Sequence, residues 1–111
     1  MKKLDKRLRE YKYLNSKIYC VDLDIELYEL YGKSIDELIR FRSMLIEESK
    51  AIERAIQTLN DNENFLLNRI YIDCMNMSEI ARLLRINRAT CYKRKEKILN
   101  KIDLELRSIN M

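Results

Sequence analysis

The side chains of this sequence best suited to chemistry are cations. Arg88, Lys93, Arg94, Lys95 and Lys97 crowd into one short stretch, with Thr90 and Tyr92 between them. Guanidinium and ammonium groups at that density are suited to phosphate oxygens, which they hold by charge-assisted hydrogen bonds. The charge is also lopsided. Residues 1–64 carry twelve Lys/Arg against thirteen Asp/Glu, a net of −1, whereas residues 65–111 carry ten against five, a net of +5. The overall +4 and the pI near 9.0 therefore come from the C-terminal half. Charge alone leaves two readings open, a phosphate-binding surface or a solvated helix face.

Other chemistries lack their residues. There is no histidine, and the three cysteines, Cys20, Cys74 and Cys91, are odd in number and never in CxxC spacing. No metal site is expected, because structural zinc usually takes four Cys or His ligands. The thiols read as reduced, in a cytoplasmic protein. Gly32-Lys33-Ser34 resembles the end of a phosphate-binding loop, but the upstream glycine of that motif is missing. The acidic pairs Asp22/Asp24 and Glu47/Glu48 point to different helix faces. Neither acid–base nor nucleophilic catalysis has its residues here, so no enzyme activity, cofactor or small-molecule substrate is expected. No apolar run approaches the roughly 20 residues that cross a bilayer, so no membrane partner is expected. The lysines near the N-terminus lack the hydrophobic stretch of a secretory signal.

The elements that position the cations must be helices. The chain has no proline and one glycine, too little turn chemistry for a strand-rich fold. The expected fold is all-α: a long N-terminal helical hairpin followed by a C-terminal helix-turn-helix domain. The first helix is expected over residues 3–31. Leu4, Tyr11, Ile18 and Ile25 recur every seven residues, with Leu14, Val21 and Tyr28 three positions after the last three of them. Arg7 interrupts this seam, and Leu23, Leu27 and Leu30 form a second stripe. Gly32 stops the helix. Ser34 with Glu37 reads as a capping box for a second helix over residues 35–59, in which Leu38, Leu45, Ile52 and Leu59 repeat every seven. The hairpin, residues 1–59, has more apolar stripe than it can cover alone. That implies a homodimer joined through residues 4–59 with Ile18 at the centre of the seam, or a hairpin folded back on the C-terminal domain.

Residues 60–111 form the expected second domain. Asn60 with Glu63, or Asp61 alone, can start the first of three shorter helices, and Asn76 and Asn87 cap the second and third. Ile80, Ala81, Leu84, Ile86, Cys91, Leu99 and Ile102 face inward, as a short helix, a tight turn and a second crossing helix require. Here residues 60–102 resemble the fourth conserved region of bacterial sigma factors. Glu79-Ile80-Ala81 matches that family's small-residue core. Ile86-Asn87-Arg88 matches its turn, cap and first recognition residue, and Cys91 takes the usual valine position. Two positions depart from the pattern. Arg85 stands where the family often has glycine, and a left-handed backbone there costs a non-glycine residue roughly 1 kcal/mol. Arg94 stands where an apolar residue is common. The layout, a short helical extension before this domain, is similar to small phage and prophage late-gene regulators of the ArpU and RinA kind.

The resemblance implies a double-stranded DNA partner and assigns roles. Base edges would be met by Arg88, Ala89, Thr90, Tyr92 and Lys93, with Arg88 suited to guanine and Ala89 or Thr90 to a thymine methyl. Lys93, Arg94, Lys95 and Lys97 would hold phosphates, and Ser78 another at a helix start. The expected function is sequence-specific transcription regulation in phage or prophage late-gene control. Two rivals share these residues: a small-terminase-like DNA-packaging protein, and a sigma-like protein that binds RNA polymerase.

Overall fold

The computed structural model describes residues 2–109, which form six α-helices with no strand among them. They are α1 (Lys2–Tyr11), α2 (Leu14–Leu30), α3 (Asp36–Ile56), α4 (Asp61–Tyr71), α5 (Met77–Leu84) and α6 (Arg88–Ile109). None of them is long and apolar enough to cross a membrane.

The long first helix expected from the heptads is two helices. The chain breaks at Lys12 and Tyr13, where the Tyr13 N–H donates to the Glu10 carbonyl at 3.0 Å and tightens the turn. The two halves then serve different cores. Leu4 and Leu8 of α1 are buried with α4, α5 and α6, whereas Leu14 and Val21 of α2 are buried with Leu45 of α3. Arg7 breaks the seam because its charge has another use: its guanidinium binds Glu48 on α3.

α2 ends as Gly32 allows. Gly32 has φ +67, its N–H donates to Glu29 and the Lys33 N–H donates back to Tyr28 at 2.9 Å. Together the two bonds satisfy carbonyls that the helix end would leave open. The capping box at Ser34 is absent. The N-cap is Ile35, with no side-chain bond, and Asp36 and Glu37 instead place negative charge on the first turn of α3. α2 runs back along α3, with Ile18, Ile25 and Leu38 packed against the buried trio and Arg42 bonded to Asp22. This first stripe, Ile18 included, is thus consumed within the chain and leaves no seam there for a second copy.

α3 ends at Ile56, and Thr58 and Leu59 make i→i−3 bonds that turn the chain at once into α4. The caps at Asn60, Asn76 and Asn87 are all present. Asn60 and Glu63 form a reciprocal capping box, Asn76 accepts from the Glu79 N–H at 2.8 Å, and Asn87 accepts from the Thr90 N–H at 2.7 Å. The main core does not stop at residue 59. Ile52, Ala55 and Leu59 of α3 join Leu66, Ile70, Ile80, Ala81, Cys91, Ile98 and Ile102 in a single buried cluster. The body formed by α1, α4, α5, α6 and the end of α3 carries α2 and the start of α3 as an arm, which stretches the molecule to 58 × 31 × 23 Å.

Candidate nucleic-acid interface

α5 and α6 cross closely because small and compact side chains meet between them. Ile80 and Cys91 are fully buried and Ala81 nearly so. The link between them is short. Arg85 takes the left-handed conformation, φ 59 and ψ 43, and the Ile86 N–H returns to the Ala81 carbonyl at 3.0 Å. Arg85 thus stands at a backbone angle that favours glycine. Asn87 then caps α6, so its first turn emerges at the surface in a fixed direction. Burial pushes the Cys91 thiol pKa up, with partial offset from the Arg94 guanidinium, and the group is a protonated core thiol at neutral pH.

Arg88, Ala89, Tyr92, Lys93, Arg94 and Lys97 are exposed and Thr90 is half-buried. Successive residues turn by about 100°, so Ala89, Lys93 and Lys97 share the side of α6 that faces away from the core. Arg88 lies at the helix start with its guanidinium 5.9 Å from the Tyr92 ring, within cation–π range. Arg94 and Lys97 flank an open groove of about 400 Å³, closed on its far side by Asn60, Asn62, Phe65 and Leu84. Ser78 is half-buried in the first turn of α5, beside the Asn76 cap.

Lys95 is not with them. It is half-buried on the α1 side, with Nζ 3.7 Å from the Asp5 carboxylate and 5.9 Å from the Tyr71 ring centroid. Asp5 also accepts from the Tyr71 hydroxyl at 2.7 Å and pairs with Arg9. Burial alone would raise the Asp5 pKa, but the hydrogen bonds from Tyr71 and Arg9 and the charge of Lys95 outweigh it and hold the carboxyl below its usual range. Lys95 thus clasps α6 to α1. Arg9 was outside the sequence reading altogether. It shares a shallow groove with Asn76, Met77 and Tyr92, which brings a cation from α1 to the start of α5. Nothing local to Arg9 signals this, because the contact joins residues some sixty-odd positions apart.

Ion pairing divides the ten cations of residues 65–111 into two groups. Arg69, Lys95, Lys101 and Arg107 pair with Asp73, Asp5, Glu63 and Asp103. Arg82, Arg85, Arg88, Lys93, Arg94 and Lys97 form no ion pair among the described residues. Lys101 binds Glu63 at 2.8 Å and, with the Asn60 N–H, keeps that carboxyl below its usual range. Within residues 65–111 the unpaired cations therefore all lie on α5, its turn and the first half of α6. Chemically the surface can accept anionic oxygens and offer hydrogen-bond donors, and it holds no group of three His, Cys, Asp or Glu suited to a metal ion among the described residues. Comparison with known protein families, curated proteins and solved structures found no match to this chain.

Proposed function

We propose that the protein is a sequence-specific double-stranded DNA-binding transcription regulator, with α5 and α6 as the two helices of a helix-turn-helix. The start of α6 enters the major groove. Arg88, Ala89, Thr90, Tyr92 and Lys93 meet base edges, while Arg94 and Lys97 hold backbone phosphates. One observation carries the reading: six of the ten cations of residues 65–111 lack acidic partners among the described residues, and all six lie on α5, its turn and the first half of α6. A surface that keeps its positive charge uncompensated leaves that charge available to a polyanion. Lys95 is assigned to the Asp5 clasp, in which Arg9 also takes part, and neither is counted among the phosphate contacts. The chain acts by binding and not by catalysis, in the cytoplasm, and as a homodimer it presents two such helices to two half-sites. Its resemblance in layout to phage and prophage late-gene regulators gives the proposed setting, with RNA polymerase as a further partner.

The test is fluorescence anisotropy with duplexes from the upstream regions of neighbouring genes, over a range of salt. Each neutralised phosphate contributes roughly −0.9 to the slope of log K against log salt, so four to six contacts give a slope between about −3.6 and −5.4. Arg88→Ala should cost about 1–3 kcal/mol of discrimination and relax sequence preference, whereas Lys97→Ala should weaken all duplexes alike. Salt-independent affinity, or equal losses on every duplex for both variants, would end this assignment.

A further inference from the structure

α2 is apolar on two opposite faces. The inner face, with Leu14, Ile18, Val21 and Ile25, is closed on α3. The outer face is open: Tyr19 is 64 % exposed, Leu23 46 %, Leu27 49 % and Leu30 78 %, and Cys20 is exposed beside them. Along this face Tyr13, Ser16, Cys20, Leu23, Leu27 and Leu30 follow one another in steps of three and four, the spacing of a helix-pairing seam. At 1.5 Å per residue it runs for about 27 Å without a charged side chain. One stripe of α3 is solvated and charged, with Asp36, Arg40, Glu47, Lys50 and Arg54 all exposed, although Ile39, Phe41 and Met44 are exposed elsewhere on that helix. Monomeric proteins rarely leave a continuous apolar stripe of this kind in water.

We propose that the outer face of α2 is a homodimer seam, closed by α2 of a second copy running antiparallel, with Cys20 of each chain opposite Leu23 of the other. Charges flanking the seam select the occupant and the register. In this pairing Ser16 meets the partner's Leu27, Tyr13 meets the partner's Leu30, and Lys17 lies beside the partner's Asp24, twice by symmetry. Sliding by one heptad sets Asp24 against Asp24 and Glu26 against Glu26. A parallel pairing offers no opposite-charge pair along the seam. The face is thus complementary to itself in one arrangement, which a seam meant for an unrelated helix would not need to be. The pairing uses the face of α2 remote from α3, so neither arm has to open. It places the two bodies at opposite ends of the seam.

Sedimentation equilibrium of the full chain under reducing conditions and without DNA tests this independently of the DNA-binding reading. The expected mass is twice 13.5 kDa. Leu23→Glu combined with Leu27→Glu should give a monomer with an unchanged far-UV spectrum, since both side chains already face water. Lys17→Glu should raise the dimer dissociation constant roughly fivefold or more, because the pair occurs twice, and Lys17→Glu with Asp24→Lys should restore it. A wild-type monomer at high micromolar concentration overturns the proposal, whether or not another protein is captured. So does a dimer indifferent to Leu23→Glu/Leu27→Glu. A dimer unchanged or tightened by Lys17→Glu overturns the antiparallel register.

Discussion

Ile52→Ala tests whether the arm-bearing half of the chain and the α4–α6 half are one cooperative unit. Ile52 is fully buried on α3, in the cluster that also holds Ile80, Cys91 and Ile102. The substitution removes three carbons from that cluster. At about 0.8 kcal/mol per buried carbon the transfer loss is about 2.4 kcal/mol. An unfilled residue of cavity of roughly 40–50 Å³, at about 24 cal/mol per Å³, adds about 1 kcal/mol. The total, about 3.5 kcal/mol, is a large part of the roughly 5–15 kcal/mol available to a domain. For a urea slope of about 1.8 kcal/mol per molar, the midpoint should fall by about 2 M. Urea melts followed by circular dichroism give the midpoint, and hydrogen exchange of the α5 and α6 amides gives the local cost. Both should fall by the same free energy, because the core that protects α5 is the core that has lost Ile52. If the Ile80 and Cys91 amides kept their protection while the arm melted, residues 1–59 and 60–111 would be separate units and the reasoning from the shared cluster would be wrong.

Arg85→Gly relieves the left-handed turn at φ 59 and should stabilise the fold by about 0.5–1 kcal/mol, after the extra freedom of glycine in the unfolded chain is subtracted; a thermal melt that does not rise counts against strain at this residue. Asp5 has a folded pKa below its ordinary value of 3.8, so its contribution to stability is present above that pH and is lost as pH falls below it. Asp5→Asn should therefore lower the urea midpoint at pH 7 and converge with wild type in acid, and a constant gap down to about pH 2 would disprove the linkage. Cys74 is exposed and away from the α2 seam, whereas Cys91 is buried with a raised pKa, so iodoacetamide at pH 8 should modify Cys74 promptly and Cys91 only in denaturant, with Cys20 shielded in the dimer and prompt in the Leu23→Glu/Leu27→Glu monomer. Three equally fast thiols would place Cys91 outside the core.

Short-range features were the legible ones. The caps at Asn60, Asn76 and Asn87 and the stop at Gly32 rest on a side chain or a backbone angle and its neighbours within a few residues, and the structure contains all four. Ser34 with Glu37 had the same signature and failed, because α3 starts one residue later than that motif requires. What could not be read was settled across the chain. Lys95 looks like its neighbours Lys93 and Lys97 in sequence, and only Asp5, ninety positions earlier, distinguishes it. The heptads of residues 4–28 read as one helix because periodicity counts apolar positions without saying what covers them. In the structure Leu4 joins the main core, Leu14, Ile18, Val21 and Ile25 close on α3, Tyr11 touches both clusters and Tyr28 is left exposed, and the break at Lys12 divides them.

That division gives the chain an order of assembly. Arg7 feels the charge of Asp103, and Leu4 and Leu8 are buried in the same cluster as Leu106, so α1 joins a core that α6 completes. A nascent chain can close α2 on α3 early, since these two are neighbours joined by a five-residue link at Tyr31 to Ile35. α1 reaches α3 only across the α2 arm, through Arg7 and Glu48 and the cluster that Ile52, Ala55 and Leu59 share with Leu4 and Leu8. Until residues 88–106 leave the ribosome that cluster lacks Cys91, Ile98, Ile102 and Leu106, and the body stays open however complete its earlier helices are. A chain stalled shortly before its end would carry a finished arm and an unfinished body. Chaperone demand should therefore follow the arrival of α6 more closely than total length.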